Sequence, residues 1–415
     1  MSSPVPPGRG RWRLSLHRRD FTGLRYTDTI IADLQDARSR KLERNLNSSA
    51  QLTFTIDGRA EVAKLIQELQ TDVIAWRWDE TVADDVPYFR GIVAQAEDQL
   101  TEQSYTLNIT CHDYIAMLDR RYLTQALNFS QIGQDSIINN FLFLAGTGMQ
   151  SSSGTAFNPG SYLPIRTPSY MNPDGTNRTR DLGVPLRDRN YTAQSDIGTL
   201  LDDLAHVIGG FDYDTIPTNK NSTPDLFRVF FPQQGITRTD PVLEYGGALA
   251  GLTRTVNSAN YGNYMRVVGQ APPNSPDGTP PMFSEAWNTD SNNVGVNPIG
   301  LWQTIDSASD VTIQSTLDQK AQGDLAFYGI LVPSYSLTLA PNVFAHGLFN
   351  MGDTVTMIVK AGRLNVNAPI RIVGVTFDIG DDGNEDVELA VGRPPLQLAD
   401  MLAAGQADIN ALARR

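Results

Sequence analysis

The chain is poor in the side chains that carry most enzyme chemistry, with 1 cysteine and 4 histidines in 415 residues. A lone Cys111 excludes an intramolecular disulfide framework and any cysteine-rich zinc site. None of His17, His112, His206 and His346 stands in an H-E-x-x-H or other ligand spacing, so each reads as a structural or surface histidine and no metal site is expected. Cys111 ends an alternating strand and reads as a buried small side chain, while its neighbour His112 points to the opposite face, away from a thiolate–imidazole pair. G-x-S-x-G, Walker and G-x-G-x-x-G patterns are missing too, which removes the usual anchors of hydrolase, NTPase and dinucleotide readings. The expectation is a non-enzyme with no catalytic residue and no cofactor.

Positive charge is also scarce: 33 Lys+Arg stand against 46 Asp+Glu, a formal net charge of -13. Grip on phosphates comes from clustered Lys and Arg, so specific nucleic-acid binding and attachment to an anionic membrane are not expected. The run Arg9, Arg11, Arg13, Arg18, Arg19 alternates with strand residues and reads as a local protein contact or a solvated strand edge. No apolar run reaches the ~18 residues of a membrane span. Residues 1–19, rich in Pro, Gly and Arg, hold no run of signal-peptide type, so the chain is expected to be made and folded in cytosol. Acidic pairs such as Asp84-Asp85 and Asp202-Asp203 are too ordinary here to name a glycosidase. The segment 378–386 fails the EF-hand pattern, with Gly380 and Leu389 where oxygen ligands belong; it reads as a solvated hairpin holding at most an adventitious cation.

What is present is mostly β pattern. Period-two alternation runs through 11–16, 51–56 (ending at the turn signal Asp57-Gly58) and 104–111, and strands are expected at 71–78 and 88–97. Val62, Leu65, Ile66 and Leu69 have the spacing of one short amphipathic helix, and a further helix opens at His112-Asp113. The section 121–245 mixes helices at 135–144 and from Ser195 (Ile197, Leu200, Leu201, Leu204, Val207) with a strand at 226–231. Between those helices 146–190 lacks periodicity and is expected to project as an exposed loop. Strands return at 252–257 and 264–269, the stretch 271–310 reads as irregular, and 315–327 as helix. Strands follow at 334–339, 354–359, 370–378 and 386–391, with Asp382-Gly383 as the last turn and a helical tail over 396–415. Both β regions hold strands, a helix and a terminal pair of long strands; a duplication gives this order, and so does chance likeness between two hairpins.

Residues 88–121 carry the most specific pattern: Phe89-Arg90-Gly91-Ile92-Val93, a turn, Tyr105-Thr106-Leu107-Asn108-Ile109-Thr110, then Cys111-His112-Asp113-Tyr114-Ile115 and a Leu118-Asp119-Arg120-Arg121 ending. This resembles the end of the first barrel in the tail hub, or baseplate hub-like minor tail, proteins of long-tailed bacteriophages. Met351-Gly352-Asp353-Thr354-Val355, Ile370-Arg371-Ile372-Val373-Gly374-Val375 and the run from Asp382-Gly383 to Val391-Gly392 resemble the second barrel of the same family.

The resemblance implies a mainly β chain with α+β parts. It places one tail-tube-like antiparallel barrel at 8–120, a mixed α/β middle domain at 121–245, a second barrel at 246–270 plus 325–395, an insertion at 271–324 and the tail at 396–415. It further implies a homotrimer whose six barrels make a pseudo-sixfold ring at the virion tail tip. The expected neighbours are the distal tail or tail tube ring, the tape measure protein and tip or fibre proteins. DNA would pass through the channel without specific binding, as negative charge on a lumen repels phosphates. Arg90 and Arg371, at matching starts of the two long hairpins, are the expected assembly-interface residues. No lysin domain follows Arg415, so wall-degrading activity would come from a separate chain. Two other readings stand beside this one: a receptor- or carbohydrate-binding β module, suggested by Trp76, Trp78, Trp287 and Trp302, and a cell-wall hydrolase without a motif. Trp76 and Trp78 share a strand face and read better as core.

Overall fold

Alternation along the chain becomes strand where one face can be buried. The computed structural model describes residues 11–22, 25–79, 82–147, 163–165, 168–180, 184–205, 209–217, 225–256, 258–259, 261–269, 271, 276, 278–288, 300–308, 314–329, 331, 333–340, 349–381 and 385–392. The expected tail at 396–415, the turn Asp382-Gly383, His206 and His346 lie outside them. The chain divides into two compact units, 1–252 with 336–415, and 253–335.

The first strands are β1 (Trp12–Thr22), β2 (Arg25–Asp33), β3 (Arg38–Asn45), β4 (Gln51–Asp57), β5 (Thr71–Asp79), β6 (Asp84–Leu100) and β7 (Tyr105–His112). On β4, Leu52, Phe54 and Ile56 are buried while their neighbours are not, and on β7 the same holds for Leu107, Ile109 and Cys111. β5 is buried on both faces through Arg77, so the alternation rule fails there. The expected helix at 60–69 is instead one 3-10 turn, Glu61–Leu65, with no buried residue; Leu69 is 65% exposed. Its apolar spacing fits a helix, but the turn finds no core to cover, and a short helix without tertiary burial is not stable.

The middle region continues with β8 (Leu127–Gly133), α1 (Gln134–Thr147), β9 (Ser169–Met171), β10 (Leu186–Tyr191), α2 (Ile197–Ala205), β11 (Asp212–Ile216), β12 (Leu226–Phe230), β13 (Thr237–Glu244) and β14 (Leu249–Val256). Asp113 caps the 3-10 helix Tyr114–Arg120 by accepting from the Ile115 amide at 3.1 Å. Ile137, Phe141, Leu201, Leu204 and Phe227 meet in one core, each contributing ~1.5–3 kcal/mol by burial before conformational entropy is subtracted. The stretch 146–190 does not project as a whole: Leu163 and Ile165 are buried in this core, Met171 is buried too, and β9 pairs in parallel with β12. Short apolar insertions among Ser, Gly and Pro carry too little periodicity to be read as strand.

The remaining elements are β15 (Tyr264–Val268), β16 (Phe283–Trp287), β17 (Gln303–Ser307), α3 (Gln314–Tyr328), β18 (Pro333–Leu339), β19 (Thr354–Ala361), β20 (Leu364–Ile379) and β21 (Glu385–Gly392). In the smaller unit β16, β15 and β17 form a sheet with α3 packed on one face, so the stretch expected to be irregular up to 310 contains two strands. Its strands are five residues each, too short for alternation to stand out from the surrounding Asn and Pro. β15, expected in the second barrel, is held here by β16 and β17.

The large sheet has 13 strands in the order β14-β18-β21-β20-β3-β4-β7-β6-β5-β1-β2, with β19 on β20 and β13 on β19. The two expected barrels are thus two halves of one sheet, hydrogen-bonded where 374–379 of β20 runs antiparallel to 40–45 of β3. Among the described residues no pair closes either half. In sequence, β3, β4, β5, β6, β7 correspond to β14, β18, β19, β20, β21, and the spatial order β3-β4-β7-β6-β5 is repeated as β14-β18-β21-β20-β19. Five strands in the same sequential and spatial order support duplication over chance likeness of two hairpins.

Candidate functional site

The middle region holds the sheet through buried acids. β11 reads Asp212-Tyr213-Asp214-Thr215-Ile216, and strand alternation sets Asp212 and Asp214 on one face. Asp212 takes Arg371 of β20, the Gln234 amide at 2.7 Å and the Asn47 side-chain amide at 3.1 Å. Arg371 also donates to the carbonyls of Gln234 at 2.9 Å and Gly352 at 3.1 Å. Asp214 receives a two-pronged contact from Arg228 at 2.7 and 2.5 Å and lies 3.9 Å from Arg44 of β3. Asp225 accepts from Arg90 of β6 at 3.2 Å, with both side chains at 1% exposure or less. Three carboxylates of the middle region therefore engage arginines from β20, β3 and β6.

The two halves of the sheet are pinned the same way. Arg77 of β5 donates to both oxygens of Glu385 on β21, at 2.6 and 3.3 Å, and Trp12 Nε1 donates to the same carboxylate at 2.7 Å. Above this pair Trp12, Tyr88 and Phe377 contact one another with ring centroids 5.3–5.4 Å apart. Burying ions costs several kcal/mol each, offset only when every charge is matched, so such pairs fix which surfaces meet more than they add stability.

A cleft of about 350 Å³ opens beside Asp214, bounded by Arg44, Tyr88, Arg228, Gln234, Arg238 and Asp353. Arg238 meets Asp353 at 2.6 Å, while Arg228 and Arg44 share Asp214. Burial pushes the Asp214 carboxyl up, but Arg228 and Arg44 outweigh it and hold the group below the ordinary carboxylate value. At Asp113 burial wins instead and keeps the carboxyl above its ordinary value, although hydrogen bonds from Ser49 and Thr215 pull it down. The backbones crossing here are tight: Gly235 and Gly352 both have φ +91, and a Cβ on Gly352 would stand 2.5 Å from the Gln234 carbonyl oxygen.

The residues singled out in the sequence do not converge. Arg90 and Arg371 lie inside the chain, 1% and 4% exposed, not on its outside, because each is consumed by an acid of the middle region. Cys111 is buried, and burial raises its thiol well above the ordinary value, Asp72 adding to the rise. His17 is hydrogen-bonded to Ser15 Oγ at 2.7 Å, and Asp72 is its cross-strand partner. These are the residue types of a nucleophilic triad, but Ser15 is 0% exposed and its Oγ already accepts from Trp76 Nε1 at 2.6 Å, so no substrate carbonyl reaches it. Trp76 is core as expected; Trp78 is half-buried beneath the Arg11 guanidinium at 4.2 Å. Sequence reasoning missed Asp212, Asp214, Asp225 and Glu385. The available signal was two acids alternating in a short strand directly after Phe211, where buried charge demands a partner.

The smaller unit exposes a different surface. Phe283, Trp287 and Ile305 project from the face opposite α3, with Trp287 51% and Ile305 72% exposed, and Tyr264 stacks on Trp287 at 6.3 Å.

Among solved structures the chain is similar to the tail protein from Neisseria meningitidis MC58, at 11% identity, covering 94% of this chain and 99% of that one with a TM-score of 0.57. It is similar also to the 43 kDa tail protein of prophage MuSo2 from Shewanella oneidensis, at 11% identity, covering 92% and 98%, with a TM-score of 0.55. No family model and no curated protein sequence matches the chain. The chain therefore has the mainly β fold of phage tail proteins, in agreement with the hub-like resemblance of its hairpin sequences.

Proposed function

We propose that this chain is a structural, non-enzymatic hub protein of a tailed-phage virion, three copies of which form a pseudo-sixfold ring at the tail tip. The observation that carries the reading is the duplicated five-strand order within a fold shared end to end with a phage tail protein. Two equivalent halves per chain are what three chains need to meet a sixfold tube. The ring joins the tail tube or distal tail ring and the tape measure protein on one side to tip or fibre proteins on the other. It lines a channel whose net negative charge lets DNA pass without holding it. Arg90 and Arg371 serve assembly indirectly, by fixing the middle region to the sheet of their own chain. Synthesis in the host cytoplasm and incorporation at the tip go with this reading.

Sedimentation of the purified chain and antibody labelling of virions test it: the expected results are a trimer and label at the tail end. Monomers at every concentration, or label along the whole tail, would overturn it. A second reading, receptor or carbohydrate binding, is favoured by the exposed aromatic face of the smaller unit. Retention of the chain on immobilised host glycans, lost in Trp287→Ala, would support it.

A further inference from the structure

The sheet contains one junction that is filled inside the chain and one counterpart that no strand fills among the described residues. On one edge of β20, residues 364–371 pair with β19 and residues 374–379 pair with β3; β21 occupies the other edge. On the matching edge of β6, residues 84–92 pair with β5, β7 occupying the other edge, and beyond Ile92 no strand among the described residues follows. The two long hairpins carry equivalent bulges, between Val93 and Gln95 and between Ile372 and Gly374, which sets Gln95 opposite Gly374 in the alignment and Leu100 opposite Ile379. Ile379 is 1% exposed beside β3, whereas Leu100 is 71% exposed. β14 mirrors this: its counterpart β3 is paired on both edges, but β14 ends the strand order, and past Leu249, which meets Tyr245, no strand among the described residues lies on its outer edge.

We propose that β14 of one copy pairs antiparallel with residues 95–100 of β6 in a second copy, repeating between chains the β3–β20 junction that lies within each chain. β3 and β14 are both 8 residues long, and laid end to end they place Arg254 where Glu43 stands. Thr376 pairs with Glu43 inside the chain, so the repeated junction sets Glu97 opposite Arg254, two exposed side chains of opposite charge. Cross-strand pairs of opposite sign favour this register, and acids on a bare edge discourage indiscriminate pairing. The contact is heterologous, each copy offering β6 to one neighbour and β14 to the other, and such contacts form a ring when the rotation between copies closes. The pairing rests on the ring reading above and names its contact.

Two chains, Glu97→Cys and Arg254→Cys, are purified separately, mixed and mildly oxidised; the native Cys111 is buried and does not compete. A covalent dimer in the mixture, absent from either chain alone and from a mixture of Arg254→Cys with Glu61→Cys, is the expected result. A trimer by sedimentation without this cross-link overturns the pairing and leaves the ring standing; a monomer overturns both. As a second readout, Glu97→Arg should weaken self-association at least ~10-fold, and adding Arg254→Glu should restore it. Equal association of all three chains would also overturn the pairing.

Discussion

Corresponding segments of the two halves of the sheet live in different surroundings. Residues 374–379 of β20 lie between β21 and β3, and Val375, Phe377 and Ile379 are core; the matching residues 96, 98 and 100 of β6 are Ala, Asp and Leu, and the last two are exposed. The backbone plan is common, while the side chains record whether a neighbour is supplied by the same chain. The difference teaches that a repeated strand order can persist while the side chains along its edges diverge.

The sharpest way to break the comparison is to remove the ion pairs that hold each half to the middle region. Arg371→Glu leaves two acids facing each other in a buried site, and Arg90→Glu does the same against Asp225. Breaking one side of a buried pair costs about 3–5 kcal/mol, so both chains should lose most of their soluble folded fraction, read as the urea midpoint. Wild-type midpoints would remove the claim that these pairs fix the halves.

Gly352→Ala comes next. A positive φ and a 2.5 Å approach to a carbonyl together predict a loss of about 2–4 kcal/mol, measured by thermal unfolding. Gly362→Ala, at φ +54 with nothing within 4 Å of its Cβ, carries only the conformational part and should lose about 1 kcal/mol.

Acid titration should separate two carboxylates of the middle region. Asp214 sits below its ordinary value, so its contribution is present above the unfolded pKa of ~3.9 and lost as pH falls through the lower folded value; Asp214→Asn should flatten that acid limb. Asp113 sits above its ordinary value, so its contribution has the opposite sign, present at low pH and lost as pH rises through the folded value. Asp113→Asn, a neutral stand-in for the protonated acid that can still cap the 3-10 helix, should therefore stand higher in stability relative to wild type at neutral pH than at pH 3. The smallest effect is expected from Leu69→Ser, within ~0.5 kcal/mol, because that side chain is 65% exposed.

Much of the sheet was legible in the sequence because burial of one face writes alternation into β4, β7 and β21. The 60–69 turn misled because helical spacing says nothing about whether a core exists to receive it. β16 and β17 were hidden by their length, and β5 by having no polar face. The arginines were visible and their partners were not: Asp212 and Asp225 lie 159 and 135 residues away from Arg371 and Arg90. Separation of that kind leaves no periodic trace. The edge of β6 that no strand covers among the described residues was equally unreadable, since Asp98 and Leu100 mark it only once β6 is aligned with β20.

Amide hydrogen exchange along the two long strands, followed as concentration rises, tests the central claim most directly. The account predicts that the amides of 95–100 not bonded to β7 exchange fast in the dilute monomer and slow toward the protection of 374–379 as the ring forms. Fast exchange at 95–100 in a chain that has already become trimeric would contradict it.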